Sequence, residues 1–191
     1  MRTKKVTITP RNAPRKSAKL HPLHHLRRVY ELQGRIEILE GALAGSPFCE
    51  VSTLTALAEQ ELAASRSQCA AELLRAAEHL SFAALAPHAA GCPPRLSAEL
   101  KAAIVDEFNN ITRYAELLWS ESAADADPET TFRRQPLALI YTSALTEARR
   151  CLAGGACHPA LELARAAESL AKTTHQHVAA QPHTAAHRLA S

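Results

Sequence analysis

The chain has 191 residues, 47% of them apolar but only 4% aromatic, and carries a formal net charge of +3. That length fills one domain with an adequate core. Ala and Leu dominate the apolar set, Gly is rare, and strand-forming residues are scarce, which excludes a β-rich fold and predicts an all-α protein.

The charge is uneven. Nine cations (Arg2, Lys4, Lys5, Arg11, Arg15, Lys16, Lys19, Arg27 and Arg28) precede the first acid, whereas the remaining residues hold 13 basic and 19 acidic side chains. Residues 1–22, polar, basic and broken by Pro10, Pro14 and Pro22, read as a disordered arm. The first helix is expected over 24–44, where Val29, Leu32, Ile36, Leu39 and Leu43 follow the 3-4-3-4 spacing of a coiled-coil seam, with Gly45 and Pro47 as stop signals.

Residues 52–86 contain neither Gly nor Pro. Ser52 is the expected N-cap, and the polar run "SRSQ" (65–68) is the expected break into two helices, though one long helix also fits. In the second part Ala70, Leu73, Ala77, Leu80 and Ala84 form a stripe. "PHAAGCPP" (87–94) reads as a loop. Ser97 then caps a helix over 98–121 whose inner face carries Leu100, Ile104, Phe108, Ile111, Ala115 and Leu118.

A longer loop is expected over 122–135, with Pro136 opening the next helix. Leu137, Ile140, Ala144, Ala148 and Cys151 mark its inner face, and Gly154 and Gly155 end it. The last helix spans 159–174 with the stripe Ala160, Leu163, Ala167, Leu170, Thr174, and residues 176–191 read as a disordered His-containing tail. The domain organisation is thus a basic arm (1–22), a helical bundle of five or six antiparallel helices (23–175) and a tail.

Two segments nearly repeat at an offset of 90 residues: "AELLRAAEHL" (71–80) and "LELARAAESL" (161–170). Leu62 and Leu152 correspond at the same offset in the preceding helices, so the unit is a two-helix hairpin, unless helices of this composition are alike by chance. Arg75 and Arg165 each lie three residues before a Glu (Glu78 and Glu168), a spacing for a weak exposed pair.

The segment "LAGGACHPALELARAA" (152–167) resembles the helix-turn-helix core of a tetratricopeptide repeat through Leu152, Gly155, Ala160, Leu161 and Ala167, but without a tandem copy. Together with "QCAAELLRAAEHLSFAAL" (68–85) it also resembles the helical core of the HEPN family. That resemblance implies a small, often dimeric bundle, found in RNases and toxin systems. The family's catalytic spacing, Arg then four to six residues then His, is missing: three residues separate Arg75 from His79, and seven separate Arg150 from His158.

Five Cys, an odd number without Cys-x-x-Cys, suit reduced thiols and a cytoplasmic setting. No apolar run approaches the roughly 18 residues of a membrane span, and the basic N-terminus lacks the apolar segment of a secretory signal. Cys151, Cys157, His158, His175 and His177 fall within 27 residues, yet the Cys pair is spaced too widely for a usual Zn motif. Cys157 beside His158 lacks an orienting third group. Asp106, Glu107, Asn109, Asn110, Arg113 and Glu116 read as a wet face.

No metal, cofactor or catalytic residue is therefore expected, and the chain is read as non-enzymatic. The leading expectation is a helical protein-interaction module with an unidentified protein partner, the first helix's seam being free to form a homodimer. The alternatives are sequence-blind nucleic-acid or acidic-partner contact through the nine cations of the arm, and a HEPN-like toxin-system component.

Overall fold

The computed structural model describes residues 49–89, 96–124 and 128–179, together with Arg27, Tyr30, Glu31, Leu32, Gly34, Arg35 and Ile38 of a leading helix. Among the described residues 93% are helical and none is in a strand. After the leading helix come α1 (Cys49–Ala63), α2 (Ser67–Ala89), α3 (Ala98–Ala124), α4 (Pro128–Ala153) and α5 (Cys157–Ala179). They pack as an all-α bundle. No helix among the described residues is long and apolar enough to cross a membrane.

The stretch after Cys49 is two helices rather than one, and the break falls at 64–66. There the Ser65 N–H donates to the Leu62 carbonyl at 2.9 Å and the Arg66 N–H to the Glu61 carbonyl at 2.8 Å. Those two bonds, with Ser65 at φ 60°, make a Schellman turn that satisfies the last carbonyls of α1. Ninety residues on, the Gly155 N–H donates to the Leu152 carbonyl and the Ala156 N–H to the Cys151 carbonyl, with Gly155 at φ 78°. The two turns are the same device. The helix ends agree as well: α1 and α4 close at Ala63 and Ala153, while α2 and α5 begin at Ser67 and Cys157 and end at Ala89 and Ala179.

The core lies between the second helices of these hairpins. Ala70, Leu73, Ala77 and Leu80 of α2 and Ala160, Leu163, Ala167 and Leu170 of α5 are all buried. Alternating small and large side chains let the two backbones approach closely. α5 is the central element, packed against α2, α3 and α4, while α1 rests mainly on α2 and α3 hardly meets α4. A helix covered on three sides must be narrow, and α5 presents mostly Ala, Ser and Thr at its buried positions. Its buried hydroxyls bond within the helix, Thr173 Oγ1 to the Ser169 carbonyl and Thr174 Oγ1 to the Ala171 carbonyl, so no partner helix has to supply an acceptor. Phe108, Ala115 and Leu118 of α3 and Leu137, Ile140, Ala144 and Ala148 of α4 close the core, with Ile104, Ile111 and Cys151 packed at its edge. Trp119 of α3 and Tyr141 of α4 stack at 4.1 Å.

Several boundaries differ from the sequence reading. Ser52 lies inside α1, whose first turn carries Glu50 where the helix dipole favours an acid. The expected long loop over 122–135 is mostly helix: α3 runs to Ala124, α4 begins at Pro128, and Pro136 sits inside α4. Pro128 already occupies the first-turn position where its missing N–H is harmless, and Pro136 is tolerated as an interior interruption. α2 continues past Pro87 to Ala89, and α5 continues through His177 to Ala179. Leu100 is exposed rather than inward. Ser97 does cap α3, accepting from the Leu100 N–H at 3.2 Å.

The leading helix adds Leu32 to the core, and Arg35 pairs with Glu78 of α2. Of the expected seam, Leu32 is turned into this chain's own core. Val29, Ile36, Leu39 and Leu43 lie outside the described residues, as do the arm with Arg2, Lys4, Lys5, Arg11, Arg15, Lys16 and Lys19, then Arg28, and residues 180–191. Arg27 is helical, exposed and paired with Glu31 at 2.9 Å.

The paired turns generate a paired test. Ser65 holds a left-handed conformation that costs a side-chain-bearing residue about 1 kcal/mol, so Ser65→Gly should raise the unfolding free energy by roughly that amount. Gly155→Ala should lower it by about 1 kcal/mol. Urea denaturation should show both as midpoint shifts at constant slope.

Candidate functional site

The interior holds more charge than a bundle needs. Glu61, Glu72, Glu78 and Glu162 are all buried, and each must find a partner because an unpaired buried carboxylate is costly. The arginines answer the preceding acid. Arg75 donates to both oxygens of Glu72 at 3.1 Å, and Arg165 donates to Glu162 at 2.9 Å. The expected pairs with Glu78 and Glu168 do not form: Glu78 holds Arg35 and Glu168 holds Lys172. Long helical side chains lean toward the N-terminus, which carries Arg75 and Arg165 back to the preceding Glu.

Two polar clusters result. In the first, His79 Nδ1 of α2 lies 2.7 Å from Glu162 Oε2 of α5, and Arg165 continues the line to Glu107 of α3 at 2.7 Å. This relay ties three helices through one buried carboxylate. Burial pushes the Glu162 carboxyl up, but the His79 hydrogen bond and the nearby cations outweigh it and hold the group below its ordinary range.

The second cluster sits where the α1–α2 turn meets the end of α5. Arg66 clasps Glu61 with both arms, Nε to Oε2 at 2.5 Å and Nη2 to Oε1 at 3.0 Å. His177 Nε2 lies 3.1 Å from Glu61 Oε2. His177 Nε2 is buried and has no other partner among the described residues. Cys69 Sγ completes the group: its sulfur, the His177 nitrogen and a Glu61 oxygen lie within 4.8 Å of one another. Leu57, Leu73 and Leu137 complete an adjoining cavity of about 290 Å³. Burial raises the Glu61 carboxyl, but His177 and Arg66 together bring it down to about 2. Burial, then the Glu61 charge, push the Cys69 thiol up to about 12, so in the metal-free chain it stays protonated at neutral pH.

The sequence did not single out Glu61 or Cys69. Only their separation of one turn plus a left-handed residue brings them together, and His177 joins from 108 positions away because α5 continues past Thr174. Of the residues it did weigh, His177 joins this cluster and the others stay apart. Among the described residues Cys151, Cys157, His158 and His175 join no ligand cluster. Cys151 donates to Glu147 at 3.7 Å, and His175 stands 4.0 Å from Glu121. Cys69, Cys151 and Cys157 are free thiols. Asp106, Glu107, Asn109, Asn110, Arg113 and Glu116 lie on exposed α3 surface, with Glu107 and Glu116 engaged by Arg165 and Arg149.

A third feature is apolar. On the outer side of α3, Tyr114 and Leu117 are 46% and 53% exposed, one turn apart. They line an open depression of about 580 Å³ with Asn110, Arg113, Glu116 and Ser120. Lys172 reaches over the Tyr114 ring from α5 at 5.9 Å.

Comparison with protein-family models, with curated proteins and with solved structures finds no match to this chain. The likeness to HEPN bundles and to a tetratricopeptide hairpin therefore stands on the residues quoted above alone. In this structure His79 is held by Glu162 and Arg75 by Glu72.

The depressed Glu61 carboxyl sets a pH window. A group ionising at about 2 when folded, against 4.5 ordinarily, contributes stability that is complete above 4.5 and is lost as pH falls toward 2. Glu162 acts in the same direction. Thermal midpoints should fall across that window. Glu61→Gln should flatten the fall, and at neutral pH it should cost about 3 kcal/mol, because Arg66 loses its counter-charge.

Proposed function

We propose that the protein is a non-enzymatic helical interaction module that receives an amphipathic helix of a protein partner on the outer face of α3. The observation that carries this reading is the exposed Tyr114–Leu117 pair at the floor of a depression. An aromatic and an aliphatic side chain one turn apart, rimmed by Arg113, Asn110 and Glu116, have the composition of a helix-binding groove: apolar anchors inside, polar groups around. All the residues that line the depression belong to α3. The buried charges of the other two clusters are already committed to one another, which supports a scaffold role rather than acid–base work.

The two hairpins, in the same reading, descend from one unit. Matching turns, matching helix ends, and the Glu72–Arg75 and Glu162–Arg165 pairs at the same offset support it. α3 then packs on α5 of the second hairpin, and its outer face can take on a partner because each hairpin is already complete.

Leu117→Glu should leave helicity and melting temperature unchanged while weakening partner binding by about 2 kcal/mol, roughly 30-fold in Kd. A photo-crosslinking residue at position 117 should yield a partner adduct that the same residue at the exposed position 150 does not. Sedimentation of the full chain separates a second copy from a different protein. Equal adduct formation at both positions would discard the α3 face as the docking surface.

A further inference from the structure

We propose that Glu61, Cys69 and His177 bind a divalent transition metal of borderline softness, with Zn²⁺ the best fit. The inference is independent of the α3 docking face. It rests on three side chains from three elements that converge without any being neighbours in sequence: Glu61 from the end of α1, Cys69 from the first turn of α2, and His177 from the last turns of α5. One sulfur, one imidazole nitrogen and one carboxylate oxygen are the donors Zn²⁺ favours, whereas Mg²⁺ and Ca²⁺ call for oxygen alone. The three atoms lie within 4.8 Å of one another, and the nitrogen and oxygen are 3.1 Å apart, the span of adjacent corners of a small coordination sphere.

A second observation points to a ligand. The His177 side chain is 10% exposed, lines the cavity, and has its Nε2 buried with no hydrogen-bond partner among the described residues. In the neutral imidazole, a ring nitrogen held that way can offer its lone pair to a Lewis acid. The adjoining cavity of about 290 Å³ has room for a water as fourth ligand. Arg66 is the competitor, since it clasps both Glu61 oxygens. A carboxylate oxygen has a second lone pair, and the Arg66 side chain is 31% exposed, so it can share or release one oxygen.

Binding balances simply. The Cys69 S–H bond breaks, a sulfur–metal bond forms from the same electron pair, and the proton passes to solvent, with no change of oxidation state. The ion then joins the turn of the first hairpin to the end of the second and raises the stability of both.

The full chain with Zn²⁺ added, measured by X-ray absorption at the zinc edge, should show one sulfur at about 2.3 Å with nitrogen and oxygen in the remaining positions. With Co²⁺ as probe it should show a thiolate-to-metal band in the near ultraviolet. Cys69→Ser should abolish both the sulfur and the band, and His177→Gln should abolish tight binding, with circular dichroism confirming the fold. Should Cys69→Ser not fold, the chain with Cys49, Cys92, Cys151 and Cys157 all changed to Ser must keep the sulfur. A zinc shell of nitrogen and oxygen alone, a sulfur that persists in Cys69→Ser or vanishes from the four-serine chain, or no binding at all would overturn the proposal.

Discussion

The whole bundle depends on α5 being covered on three sides at once. A helix in that position cannot carry bulk all round, because α2, α3 and α4 would then be held apart. Its buried surface is therefore built mostly from Ala, Ser and Thr, with Leu163 and Leu170 alternating with Ala160 and Ala167. Small residues make little apolar contact each, so close approach replaces side-chain size as the source of packing energy. The aromatic content of 4% is the compositional trace of that solution.

Close approach has an electrostatic cost, met locally. Glu61, Glu72 and Glu162 are buried because the helices come together over them, and each is matched by a cation from its own hairpin: Arg66, Arg75 or Arg165. Pairing within the hairpin means that each charge is neutralised before the hairpins meet. The histidines differ. His79 and His177 approach carboxylates from across the helix interfaces, so they report on whether the hairpins are together.

The all-helical class was legible in the sequence, because helix propensity and the 3-4 spacing of Ala and Leu are local signals, and the polar run at 65–68 pointed to the break that falls at 64–66. The left-handed turn at Ser65 was less so: Gly155 announces such a turn and Ser65 does not. The long loop assigned before Pro136 failed for a related reason. Pro reads as a boundary, yet α4 runs from Pro128 through Pro136 to Ala153. The candidate metal ligands were not legible, because their proximity is a property of the turn and of how far α5 extends. Spacing rules look for ligands close in sequence, and Glu61 and His177 are at opposite ends of the bundle's chain.

The contact between α2 and α5 joins segments 90 residues apart. Each hairpin, by contrast, closes over a turn of three residues. Loop-closure entropy makes the hairpins cheap to form and the clasp between them dear. The chain thus has two quick local events followed by one slow meeting of distant surfaces. Until that meeting, the Ala/Leu ridges of both hairpins are open to any similar ridge, including those of another molecule.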